Sequence, residues 1–156
     1  MLVPDSYFEC HLMLSAAYEA QGRHEAARTH AKRAVELAPL DRRARLHLVH
    51  CHEVAGDSER AIEELSRLLS TAHDPEGLGI GYYRMAFFQW QKGNILAAEA
   101  CYKSSLGVLR GSFPMAATEL ATLAMQHPET FRENMSQEEM TEVRSEERRV
   151  GKECRS

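Results

Sequence analysis

Three stretches decide the fold: LSAAYEAQGRHEAARTHAKRAVELA at 14–38, LVHCHEVAGDSERAIEELSRLLSTA at 48–72 and MAFFQWQKGNILAAEACYKSSLGVL at 85–109. Set beneath one another they share a glycine (Gly22, Gly56, Gly93), and five residues after it an alanine (Ala27, Ala61, Ala98). Eight residues before each glycine stands an unbranched or branched apolar residue: Leu14, Leu48 or Met85. The glycines are 34 and then 37 residues apart. Recurrence in three registers at such a spacing is the mark of a repeat array, in which each unit is one small supersecondary element.

Spacing makes the units helical. Ala27, Ala31, Ala34, Val35 and Ala38 recur at helical intervals and form one apolar stripe. Ala61, Ile62, Leu65, Leu68, Leu69 and Ala72 follow the same template, and Ala98, Tyr102, Ser105, Leu106 and Leu109 follow it more loosely. Start signals agree, with Asp41 before Arg42 and Asp74 before Pro75, a residue favoured in the first turn. Each glycine falls where a tight helix–helix turn needs a permissive backbone. No alternating strand pattern interrupts the series.

These pairs resemble tetratricopeptide repeats. Repeat one, about 8–41, carries the family marks at Leu14, Tyr18, Gly22, Ala27, Ala34 and Pro39. Repeat two, about 42–75, keeps Leu48, Gly56, Ala61, Leu65 and Leu68, with Pro75 two residues late. Repeat three, about 79–112, keeps Tyr82, Met85, Ala86, Gly93, Ala98 and Tyr102. The departures are His11 and Arg45 in the early aromatic slot, and His52 and Gln89 in the tyrosine slot. The resemblance implies an all-α, right-handed α-solenoid of stacked antiparallel helix pairs, with three repeats and an extra C-terminal helix. The expected repeat domain is 1–127, its partial fourth unit beginning at 113 with a helix over Pro114–Gln126. Residues 128–143 read as a linker and the start of a truncated helix, with a capping-box pattern at Ser136–Glu139.

The last segment, RSEERRVGKECRS at 144–156, has no helical apolar face and resembles the translated read-through of a sequencing adapter. It is expected to be an artefactual tail, and the natural chain to continue differently beyond Val143. The tail holds a surplus of two positive charges, so residues 1–143 carry −6 against −4 for the whole chain. A body that acidic is a poor general partner for nucleic acid. Cys10, Cys51, Cys101 and Cys154 are dispersed with no CxxC pair, which reads as reduced thiols in a cytoplasmic protein. No apolar run approaches the roughly 20 residues of a membrane span.

The resemblance places partner binding on a concave surface lined by the first helix of each pair. The residues of those helices that avoid the core slots are Glu9, Leu12, Ala16 and Glu19, then Arg43, Leu46, His47, His50 and Glu53, then Ile80, Tyr83, Arg84, Phe87 and Trp90. Among them Tyr83, Arg84, Phe87, Trp90, His47, His50 and Arg43 are the expected contacts. Tyr83, Phe87 and Trp90 share one stripe, which either anchors a ligand or is core beneath helix 114–126. Relatives that clamp a partner's terminal carboxylate use lysines and asparagines on these helices. The matching positions here are Leu12, Ala16, His47, Ile80 and Arg84, of which only Arg84 fits.

Other constellations weigh less. His47, His50, Cys51 and His52 have helical metal-ligand spacing, but no second cluster completes four ligands, so no metal or cofactor is expected. Gly77, Gly79 and Gly81 lack the preceding strand and following lysine of a phosphate loop and read as a loose lead-in to the fifth helix. Arg28, Lys32, Arg33, Arg42, Arg43 and Arg45 form a basic island, and Glu63–Glu64 read as surface. Without a nucleophile elbow, HExxH or comparable signature, the chain is not expected to be an enzyme. The expected function is a scaffold that binds a peptide or protein segment, with self-association left open. The alternative is the sensor or dimerisation part of a larger transcription regulator.

Overall fold

The structure is a computed structural model that describes residues 5–110, 112–131 and 141. The capping-box stretch at 136–139 and the basic tail at 144–156 lie outside them. Seven helices are bounded within the described residues: α1 (Asp5–Ala20), α2 (His24–Leu37), α3 (Arg42–Val54), α4 (Ser58–Thr71), α5 (Pro75–Gln91), α6 (Ile95–Leu109) and α7 (Pro114–Gln126); residues 128–131 and 141 are helical as well. The architecture is all-helical, a solenoid of antiparallel pairs.

Aspartates fix three of the starts. Asp41 accepts hydrogen bonds from the backbone N–H groups of Arg43 and Ala44, Asp57 from Arg60, and Asp74 from Gly77, with Pro75 in the first turn. Partial burial opposes ionisation of Asp41. The hydrogen bond from the Arg43 side chain, the two backbone N–H groups and the Arg43 charge outweigh it, and its carboxyl stays below the ordinary 3.8.

The turns within pairs are copies of one another. Gly22, Gly56 and Gly93 have φ of 71°, 74° and 79°. Their N–H groups donate to the carbonyls of Glu19, Glu53 and Trp90, each at 2.9 Å. The next residues, Arg23, Asp57 and Asn94, donate to Tyr18, His52 and Gln89, again at 2.9 Å. This is the Schellman closure of a helix, and it needs a left-handed residue at the glycine position. Just beyond it Ala27, Ala61 and Ala98 are buried to 1%, 0% and 0% exposure, where a larger side chain would hold the two helices apart.

The core runs between successive helices. Phe8, Ala34 and Ala44 join α1, α2 and α3, and Ala27, Ala31, Leu48 and Cys51 continue the seam. Val49, Ala61, Leu65, Leu68, Met85 and Phe88 fill the space among α3, α4 and α5. Ala86, Ala98, Tyr102, Ala116 and Leu123 do the same for α5, α6 and α7. Each helix packs on its neighbours in sequence, and α1 also meets α3.

Three readings of the sequence need correction. Glu64 is not surface: it is buried and pairs with Arg45 at 2.6 Å, because an arginine in a buried slot needs a counter-charge on the facing helix. Leu14 is 41% exposed, and its neighbour Ser15 takes the buried place in α1 that Val49 and Ala86 take in α3 and α5. Gly77, Gly79 and Gly81 are no loose lead-in but lie buried inside α5. A Cβ on Gly79 would fall on the Leu109 side chain of α6, and one on Gly81 would meet Leu69 of α4, so bare backbone is what lets those helices approach. The basic island reads by default as a solvated helix face, and its arginines are paired within the fold: Arg28 with Glu25, Arg33 with Glu36, Arg42 with Asp74 and Glu76, and Arg43 with Glu9 and Asp41.

Candidate functional site

The first helices α1, α3 and α5 are joined by a row of polar side chains. Ser15 and Glu19 come from α1, and His47, His50, Cys51 and Glu53 from α3 at successive helical offsets. Arg84 of α5 closes the row by donating to Glu53 at 2.5 Å. His50 Nε2 lies 2.5 Å from Glu19 Oε1, and its Nδ1 is 3.5 Å from Glu53. Arg43, nearer the N-terminal end of α3, reaches Glu9 at 3.0 Å and lies over the Phe8 ring, 5.4 Å from its centroid.

Beneath the row, Ser15 organises the buried side. Its hydroxyl donates to the Ala27 carbonyl at 2.6 Å, and the His47 Nε2 and Cys51 Sγ lie 2.7 and 3.9 Å from the same oxygen. Since the serine proton is committed to Ala27, both neighbours donate toward it. Burial holds the His47 imidazole below its ordinary 6.5, helped by the His50 charge and opposed by Glu19. It is therefore mostly neutral near pH 7. Burial likewise raises the Cys51 thiol, which stays protonated. The ligand atoms of Glu19, His47 and Cys51 all lie within 4.8 Å of one another. Sequence reasoning placed Glu19 on the concave face but missed Ser15, and it missed the relation of both to His47 and Cys51, which exists only once α1 and α3 lie side by side.

The aromatic stripe divides. Phe87 is partly buried against the Leu65 cluster, whereas Tyr83 and Trp90 are partly buried on the far side, against Tyr102. Trp90 meets Tyr102 edge-on with centroids 6.4 Å apart, and Tyr83 meets Phe113 edge-on at 4.9 Å. Phe113 also borders a cleft of about 880 Å³ with Leu78, Ile80, Val108 and Leu109 on its apolar walls and Arg110 on its edge.

A glycine-closed turn, a small alanine and a helix pair, all repeated in register, constitute a known design. Residues 7–80 match the family described as Tetratricopeptide repeat. They belong to the tetratricopeptide repeat family. No curated protein sequence matches the chain. Solved tetratricopeptide repeat structures are similar in fold at low identity. The type III secretion translocator chaperone SycD of Yersinia enterocolitica superposes with a TM-score of 0.70 and 17% identity, over 81% of this chain and 90% of that one. SycD in complex with a peptide of the translocator YopD gives 0.63 and 18%, over 76% and 92%. The first tetratricopeptide repeat domain of Spaghetti (RPAP3), bound to the HSP90 peptide SRMEEVD, gives 0.65 and 12%, over 78% and 93%. Among the described residues no helix is long and apolar enough to cross a membrane.

Proposed function

We propose that this chain is a non-enzymatic scaffold that grips a peptide or protein segment along the face formed by α1, α3 and α5. One observation carries the reading: the Glu19–His50–Glu53–Arg84 row spans three helices while its members stay between 22% and 45% exposed. Charges held this way are ordered by one another yet remain open to water, so a ligand's charges can take over the partnerships at small desolvation cost. The peptides bound by SycD and by the RPAP3 domain support the same use of the fold.

The face differs from a carboxylate clamp. Where such a clamp uses lysines and asparagines, this row alternates Glu19 and Glu53 with His50 and Arg84. It suits a segment of mixed charge with an apolar residue seated near Ile80 and Phe113. Arg43, His47 and Tyr83 would extend the contact, with Phe87 and Trp90 backing it from the core.

The test is a screen of a random 12-residue peptide library for binders, followed by competition. Binding by the selected peptides is expected to fall at least tenfold with His50→Ala and with Arg84→Ala, with melting temperature little changed. Peptides that bind both variants as well as the original chain would remove the face from consideration.

A further inference from the structure

We infer that Glu19, His47 and Cys51 form a binding site for a single zinc-class divalent cation that ties the first repeat to the second. The three residues are one carboxylate, one imidazole and one thiol, a ligand set suited to a borderline-soft ion. Their donor atoms lie within 4.8 Å of one another, with His47 Nε2 4.0 Å from Glu19 Oε2. Tetrahedral ligands at zinc stand roughly 3.3–3.8 Å apart, from bond lengths of about 2.0 Å to N and O and 2.3 Å to S. Rotamer adjustments of up to about 1.3 Å close that difference. His47 and Cys51 are one helical turn apart on α3, so the helix holds them on one face.

Two further features belong to a metal site. His50 contacts the other oxygen of Glu19 at 2.5 Å, as outer partners do when they aim a carboxylate ligand. The His47 N–H and Cys51 S–H both point at the Ser15 oxygen, whose own proton goes to Ala27. Ser15 thus lies beside both donor atoms, between α1 and α3. On binding, the imidazole proton moves to Nδ1 and leaves Nε2 as the donor. The thiol gives its proton to solvent as the metal–sulfur bond forms, so one proton is released per ion and no electron is transferred. The remaining coordination position is left to water or to a side chain of a bound segment. The site shares Glu19, His47 and His50 with the face proposed to bind peptide, but its test requires no peptide.

The test uses the full reduced chain and cobalt(II) as a spectroscopic probe, with zinc(II) as competitor. One cobalt per chain is expected, with a thiolate-to-metal charge-transfer band, the visible bands of a four-coordinate ion, and displacement by zinc. Cys51→Ser should abolish the charge-transfer band, while Cys101→Ser and His30→Ala leave it intact. His50→Ala should weaken binding about 10–100-fold, and His47→Asn and Glu19→Gln by more. Circular dichroism verifies that each variant folds. Should Cys51→Ser not fold, His47→Asn and Glu19→Gln, at less buried positions, decide the matter. Absence of the charge-transfer band in the original chain, or cobalt affinity that survives both His47→Asn and Glu19→Gln, would overturn the proposal.

Discussion

Arg45 is the residue most at odds with its surroundings. It occupies a slot where the repeat pattern has an aromatic, and only 9% of its side chain is exposed. One nitrogen meets Glu64 at 2.6 Å and another donates to the Pro39 carbonyl at 2.9 Å, so a single guanidinium ties α3 to α4 and to the preceding turn. Glu64 also accepts from Arg67 at 2.7 Å. Removing Arg45 leaves Glu64, in a poorly hydrated place, with only the exposed Arg67 as partner. Arg45→Leu is expected to cost about 3–5 kcal/mol, whereas the double replacement Arg45→Leu with Glu64→Leu should recover most of it. Denaturant unfolding of the three variants checks the cycle, and a harmless Arg45→Leu would contradict the pairing. The sequence exposed the anomaly at Arg45 but not its resolution. Glu64 sits beside Glu63 in an otherwise ordinary polar stretch, and only the rotation of α4 decides which of the two turns inward.

Elements were legible where geometry restricts a position to one residue type. A left-handed turn admits glycine and almost nothing else, so Gly22, Gly56 and Gly93 announced the three pairs, and the buried alanines fixed their register. The same logic failed at α5, where glycine serves close packing instead of a turn. Helix interiors tolerate glycine at a cost of about 0.5–1 kcal/mol relative to alanine, so its presence normally argues against helix. Gly79→Ala would therefore gain propensity and lose fit, since its Cβ would lie 2.3 Å from Leu109 Cγ. Overpacking of this kind typically costs about 1–3 kcal/mol, and the net change is expected to be destabilising. Pairing Gly79→Ala with Leu109→Ala should relieve the clash, so the double variant should be more stable than the sum of the two single changes predicts. Thermal melts of the set check this, and strict additivity would show that the contact is loose.

At the scale of the whole molecule, each described helix packs chiefly on its neighbours in sequence, and α1 also meets α3. The α7 helix covers the open side of α6 through Ala116 and Leu123, with Trp90 and Tyr83 at the same seam. This explains why the aromatic stripe could be read from sequence yet not assigned: a residue between two layers satisfies both the core and the groove spacing. Trp90→Ala should cost part of the about 3–5 kcal/mol that a fully buried aromatic would. Because coupling in an array passes between adjacent units, amide hydrogen exchange should rise in α5 to α7 and stay unchanged in α1 and α2. Uniform loss of protection along the chain would mean the array opens only as one body.

Packing chiefly between helices adjacent in sequence also has a kinetic side. When contacts join residues close in sequence, little loop-closure entropy has to be lost before they form, and chains of this kind fold in about microseconds to milliseconds. Here α1 and α2 can find one another before α5 has been made. On a ribosome delivering about 5–20 residues each second, every finished pair would be in place well before the next one emerges.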